Sequence, residues 1–204
     1  MDISFFLRGL IIGFSIAIPV GPIGVLCIRR TLTDGRLTGL LSGLGAATAD
    51  AIYGGIAGFG LTFISSLLVS QALWLRLIGG AFLCYLGLKT ILSKPAEQAA
   101  SAESQGLIGA YVSTVFLTLT NPATILSFVA VFAGLGLASV GGNYLTASLL
   151  VAGVFIGSAL WWIVLSSGVS LIRSRFNPRR LIWLNRISGL ILLIFGIIAL
   201  SSKG

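Results

Sequence analysis

The chain has no histidine, two cysteines and five acidic residues among 204. Without histidine it lacks the side chain best suited to proton transfer near neutral pH, and no nucleophile–base pair stands out for an intramembrane hydrolase. A zinc site or a disulfide framework fails on ligand count. Cys27 and Cys84 both lie in apolar runs, where cysteine behaves as a small hydrophobe. Charged residues make up 9% of the chain, against about 25% in soluble domains. Apolar residues are abundant instead, at 56%, more than so short a chain can hide from water. Lipid therefore covers most of the surface. The net charge of +8 sits in short segments between apolar runs, where it sets orientation and attracts anionic headgroups. No surface combining aromatic and basic residues remains for nucleic acid.

Apolar runs near the length that crosses a bilayer, about 20 residues, occur at roughly 4–28, 38–64, 74–92, 107–136, 144–171 and 183–202. They predict an all-α membrane protein with six transmembrane helices. The N-terminus has neither a basic n-region nor a small-residue cleavage site, so residues 1–28 read as a retained span and not a signal peptide. The first connection, RRTLTDGR, carries the turn signal Asp34-Gly35, and the third, SKPAEQAASAESQG, reads as a solvated loop. Arg29, Arg30, Arg36, Lys89, Lys94, Arg173, Arg175, Arg179, Arg180 and Arg186 fall on one side, against Arg8, Arg76 and Lys203 on the other. That asymmetry places the odd-numbered connections in the cytoplasm and both termini outside.

The two halves resemble each other. In WLRLIGGAFLCYLG and WLNRISGLILLIFG, Trp74, Leu75, Ile78, Gly80, Leu83 and Gly87 match Trp183, Leu184, Ile187, Gly189, Leu192 and Gly196. A second alignment lays PVGPIGVL on LTNPATIL, with Pro22 on Pro122 and Leu26 on Leu126. The chain thus divides into repeat one (1–92), a cytoplasmic linker (93–106) and repeat two (107–204). Three spans per unit reverse its direction, which gives a 3+3 inverted repeat with helices 1 and 4 interrupted, the pattern that marks a transporter's midplane site.

Proline breaks a helix interior but suits the first position of a new helix. Pro22 and Pro122 therefore read as starts of second half-helices, with Pro19 upstream of the first break and Gly21 and Asn121 at the caps. Each start turns free N–H groups and a positive dipole end toward the break, which favours a carboxylate. A simple packing kink is the alternative at either proline. Of the acidic residues only Asp50 lies deep in a span, about 12 residues or roughly 18 Å of rise from its cytoplasmic end. An aspartate there costs on the order of 3 kcal/mol, so it reads as functional: an amine ligand, a proton carrier, or both in turn. Satisfying broken backbone N–H groups is the alternative role. Tyr53, one turn away, offers a hydroxyl or packing, and in the repeat register Asp50 falls opposite Ser158.

These residues resemble the lysine exporter and threonine/homoserine efflux proteins, the LysE/RhtB family. The likeness is carried by Pro19-x-Gly21-Pro22 with Arg29, Arg30 and Gly35, by the glycine-rich run around Asp50, by G-x-x-x-L-x-Y-L-G from Gly79 to Gly87, and by Asn121-Pro122. It implies a bacterial inner-membrane exporter of amino acids or small zwitterions, driven by proton exchange, with no cofactor, metal or enzymatic activity. Val20 between Pro19 and Gly21, and Ala123 after Pro122, depart from the family pattern and leave the cargo open. The expected substrate-binding residues are Pro19, Gly21, Pro22, Asp50, Tyr53, Asn121 and Pro122, with Asp50 also carrying the proton. A thiol–electron carrier through Cys27 and Cys84, and a metal-cation exporter, are the competing readings. Glycine-rich faces make a homodimer conceivable.

Overall fold

The computed structural model describes residues 3–18, 21–59, 70–92, 95–121, 124–125, 127–128, 144–173 and 178–201. Pro19, Pro122 and the ends of the second and fourth apolar runs (60–64 and 129–136) lie outside them. The described residues form seven helices and no strand: α1 (Ile3–Ala17), α2 (Pro22–Thr33), α3 (Arg36–Gly58), α4 (Ala72–Leu92), α5 (Pro95–Leu119), α6 (Tyr144–Ile172) and α7 (Pro178–Ser201).

The first apolar run is two helices bent by 79° at the break after Ala17. Pro22 is the first residue of α2, where its missing N–H and fixed φ are tolerated. The expected loop RRTLTDGR is mostly the end of α2, because only Asp34 and Gly35 leave the helix. Gly35 takes φ 109°, a conformation that a side chain would strain, and turns the chain into α3. Arg29 and Arg30 accordingly belong to the helix and not to the connecting loop. The polar linker is also not a loop: α5 begins at Pro95 and runs through it, interrupted only by Gly106 at φ 63°. Alanine, glutamate and glutamine are strong helix formers, which accounts for the helix despite the polarity.

Helices α4, α6 and α7 are each long and apolar enough to cross a membrane, and the bent pair α1–α2 qualifies as a fourth span. The Gly106–Leu119 part of α5 is apolar but shorter. Helix α3 is sheltered instead, its inner face made of Gly43, Gly45, Ala46, Ala47, Ala49 and Gly54 around Asp50. The outside is apolar, with Ile11, Leu88, Ile108, Leu171 and Ile197 exposed.

Small residues set how closely helices approach. A Cβ on Gly153 would meet the Phe6 carbonyl oxygen and the Leu10 amide, and one on Gly157 the Leu10 carbonyl, so α1 and α6 run parallel in backbone contact. Between α3 and α5 the same arrangement recurs: a Cβ on Gly45 would meet the Tyr111 carbonyl oxygen and the Val115 amide. Helices α4 and α7 pack antiparallel through their glycines. A Cβ on Gly80 would stand 3.1 Å from the Gly196 carbonyl oxygen, and one on Gly87 2.8 Å from that of Gly189. Helices α3 and α6 are antiparallel too, pairing Gly54 with Val154 and Gly43 with Trp162.

Candidate functional site

Asp50 is 4% exposed and its side chain makes one hydrogen bond among the described residues, from Ser158 Oγ to Oδ2 at 2.7 Å. Ser158, on α6 and fully buried, accepts in turn from Trp162 Nε1 at 3.2 Å. Both partners are neutral, and Oδ1 is left with no hydrogen bond among the described residues. A buried charge stays affordable only with a partner, so this carboxylate is suited to hold a cation or a proton at Oδ1. The register opposite Asp50 pointed to Ser158, whereas Trp162 carried no signal; its neighbour Trp161 meets Phe14 edge-on at 5.7 Å.

The polar pair lies between two apolar clusters, each attached to one break. Ala17 and Ile23, on either side of the first break, pack with Ala46, Ala47, Leu117, Ala159 and Trp162. Leu119 and Ile125, on either side of the second, pack with Tyr53, Leu150 and Val154. Asp50 falls between Ala47 and Tyr53 on α3, and Ser158 between Val154 and Trp162 on α6. The fold thus draws the aspartate and both interruptions into one region.

At the first break Gly21 caps α2 without a side-chain hydrogen bond, and its carbonyl accepts from the Val25 amide at 3.1 Å. Ile23 and Gly24 are buried, and their amides have no hydrogen-bond partner among the described residues. A buried helix start with free N–H groups is a ready site for a carboxylate. At the second break α5 ends at Leu119, and the Asn121 carbonyl accepts from the Thr124 and Ile125 amides at 3.1 and 3.2 Å, the first bonds of a new turn. Tyr53 donates its hydroxyl to the Leu119 carbonyl at 2.6 Å. That bond satisfies one of the acceptors that a helix end leaves open, and the ring packs on Phe128 at 5.6 Å.

The sequence reading did not foresee a second polar centre. Arg30 donates to Ser42 Oγ, the Ala110 carbonyl and Thr114 Oγ1 from one terminal nitrogen, and to Ser113 Oγ from the other, all between 2.9 and 3.0 Å. It ties α2 to α3 and α5. Arg29 Nε donates to Asn185 Oδ1 of α7 at 3.1 Å. Cys27 and Cys84 are free thiols, and among the described residues no three histidine, cysteine or acidic side chains converge on a point.

A family model described as LysE type translocator matches residues 14–203. The chain belongs to this family. As a LysE-type translocator with several apolar helices it is an integral multi-pass membrane protein. The translocator is 29% identical over 198 residues to YcgF of Bacillus subtilis (strain 168), whose name marks it provisionally as an amino acid efflux protein; the match covers 95% of this chain and 93% of YcgF. It is 28% identical over 149 residues to the uncharacterized membrane protein YahN of Escherichia coli (strain K12), covering 71% and 65%. It is 27% identical over 209 residues to the chemotactic transduction protein ChpE of Pseudomonas aeruginosa, covering 99% of each. No solved structure matches the translocator.

Proposed function

We propose that the chain is a secondary exporter of amino acids or closely related small zwitterions, coupled to proton exchange, in a bacterial cytoplasmic membrane with both termini outside. The observation that carries this reading is Asp50, buried with one neutral hydrogen-bond partner and, among the described residues, no partner for Oδ1. A cargo ammonium takes Oδ1, and its carboxylate takes the amides of Ile23 and Gly24, which have no partner among the described residues. Gly21, Pro22 and Asn121 shape the breaks, which Pro19 and Pro122 flank in sequence, while Tyr53 steadies the second. A proton arriving at Asp50 from outside displaces the ammonium and releases the cargo. Return of the protonated carrier completes the exchange.

The proposed frame is a 3+3 inverted repeat of six alternating crossings. Parallel pairing of α1 with α6 and of α3 with α5 supports it, as does antiparallel pairing of α3 with α6 and of α4 with α7. The reciprocal contacts of Gly80 with Gly196 and Gly87 with Gly189 also support it, because each pair becomes the other when matched positions are exchanged. So does the shared motif in which Gly153 meets Phe6 and Leu10 as Gly45 meets Tyr111 and Val115. Rocking one repeat against the other then alternates access.

The test is counterflow of a panel of labelled amino acids in proteoliposomes, with and without an acid-outside pH gradient. Asp50→Asn is expected to insert normally and to lose both flux and its response to the gradient. Normal proton-driven flux in that variant would remove Asp50 from the mechanism.

A further inference from the structure

Arg29 stands near the end of α2 and is 8% exposed. A guanidinium has five N–H donors. Nε–H is given to Asn185 Oδ1, and this is the side chain's only hydrogen bond among the described residues. Among the described residues the four donors on the two terminal nitrogens have no acceptor. A buried charge with so many unused donors is strongly destabilising unless something accepts them.

The carbonyls at the end of α2 are already taken, and the acid beside them, Asp34, attracts Arg29 through space but makes no hydrogen bond to it among the described residues. Arg173 donates to the Leu32 and Thr33 carbonyls, and the Asp34 and Gly35 amides return to the Arg30 carbonyl. The Arg29 carbonyl accepts from the Thr33 hydroxyl, and that hydroxyl also contacts Asp34 Oδ1 at 2.8 Å. The adjacent Arg30 hydrogen-bonds only to neutral groups among the described residues and shares with Arg29 the through-space attraction of the single Asp34 carboxylate. Two neighbouring guanidiniums thus share the end of one helix, and one of them is held by a single nitrogen with its flat fork unfilled.

We propose that Arg29 is an oxyanion-binding site between α2 and α7, taking a carboxylate or phosphate group in a bidentate pair. Asn185 fixes the plane of the guanidinium by holding Nε, so the two terminal nitrogens present the parallel donors that match two oxygens of such an anion. The site is separate from the amides of Ile23 and Gly24, which lie five to six residues earlier on α2, about 8 Å along the helix. The occupant is either a free carboxylate, such as cargo on its way to the break, or the phosphate of an anionic lipid headgroup. The inference does not depend on the export reading, because it is tested by binding alone.

The purified full-length chain in neutral detergent is heated with sodium acetate, with dioctanoyl phosphatidylglycerol, or with sodium chloride at matched ionic strength. Ligand bound only by the folded state raises the unfolding temperature saturably. A saturable rise beyond the chloride control is expected with at least one probe; acetate identifies a free carboxylate and phosphatidylglycerol alone identifies a headgroup. The rise is expected to persist in Arg36→Gln, which removes an equal charge at an exposed position, and to vanish in Arg29→Gln. If Arg29→Gln does not fold, Arg29→Lys decides, since it keeps the charge without the fork and should bind at least about tenfold more weakly. No rise in the unaltered chain, an undiminished rise in Arg29→Gln, or unchanged affinity in Arg29→Lys would overturn the proposal.

Discussion

Ser158 and Asp50, which the sequence reading set opposite each other in the expected repeat, touch in the folded chain, Ser158 Oγ donating to Asp50 Oδ2 at 2.7 Å across the α3–α6 contact. In an inverted repeat, equivalent residues can meet only on the axis that exchanges the halves, and that axis lies in the membrane plane. Under the proposed architecture Asp50 is therefore held at the midplane by symmetry as well as by its depth along α3. On that proposed architecture a hydroxyl stands where a second acid would otherwise face the first. A second aspartate at that spacing would repel the first, whereas serine offers a donor and leaves the negative charge for a cation to meet.

Ser158→Ala removes that donor and takes away the acceptor of Trp162. Hydrogen bonds to charged groups are worth about 1.5–3 kcal/mol, and a buried group left unpaired adds its own penalty. The variant is expected to unfold at a lower temperature and to show slower counterflow than the unaltered chain. Unchanged thermal unfolding and unchanged flux together would mean that something other than Ser158 stabilises Asp50.

Two glycines of α6 make a controlled pair. Gly157 is buried with its would-be Cβ inside the backbone of α1, against the Leu10 carbonyl, while Gly168 has nothing within 4 Å. Gly157→Ala must push two helices apart and is expected to cut the folded yield severely, by well over the 1–3 kcal/mol typical of overpacking. Gly168→Ala is expected to be neutral or to stabilise by up to about 1 kcal/mol through helix propensity. Size-exclusion profiles of the two variants in detergent compare them directly. Equal behaviour would contradict the close α1–α6 contact.

Much of this arrangement was legible in the sequence because its signals are local. Pro22 marks the start of a helix through its own covalent ring, Asp34-Gly35 marks a turn, and Asp50 is conspicuous because nothing else near it is charged. Hydrophobic runs located the helices, but they could not show that the first run bends by 79°, since apolar residues line both arms of the bend. The polar linker misled because polarity was read as absence of structure, when alanine and glutamate favour a helix regardless of burial. Arg29 and Arg30 misled for a related reason. Arginine at the end of an apolar run usually faces headgroups, and only the positions of Ser42, Ser113, Thr114 and Asn185, distant in sequence, reveal that these two turn inward.

Tyr53 separates a ligand from a support. Its hydroxyl is committed to the Leu119 carbonyl at the end of α5. Tyr53→Phe keeps the ring against Phe128 and removes only that bond, so the loss should be about 0.5–1.5 kcal/mol of stability. Transport is expected to slow while the ranking of competing amino acids stays the same, because the cargo itself loses no contact. A changed ranking in competition assays would instead place the hydroxyl against the cargo.

The thiol–electron reading requires Cys27 and Cys84 to exchange electrons through a shared disulfide. Cys27 is buried in α2 among Leu26, Ala46 and Leu117, whereas the Cys84 sulfur lies against Gly196 in the α4–α7 contact. Each thiol fills a packing position on a different helix pair, which suits small hydrophobes better than redox partners. The double variant Cys27→Ala, Cys84→Ala is therefore expected to lose about 1–3 kcal/mol of stability from two small cavities and to retain counterflow activity. The measurement is flux at a temperature well below the unfolding midpoint of the variant, with and without dithiothreitol. Retained flux that is indifferent to the reductant removes thiol chemistry from the cycle. Abolished flux in a folded variant would return the cysteines to the centre of the mechanism and displace Asp50 from it.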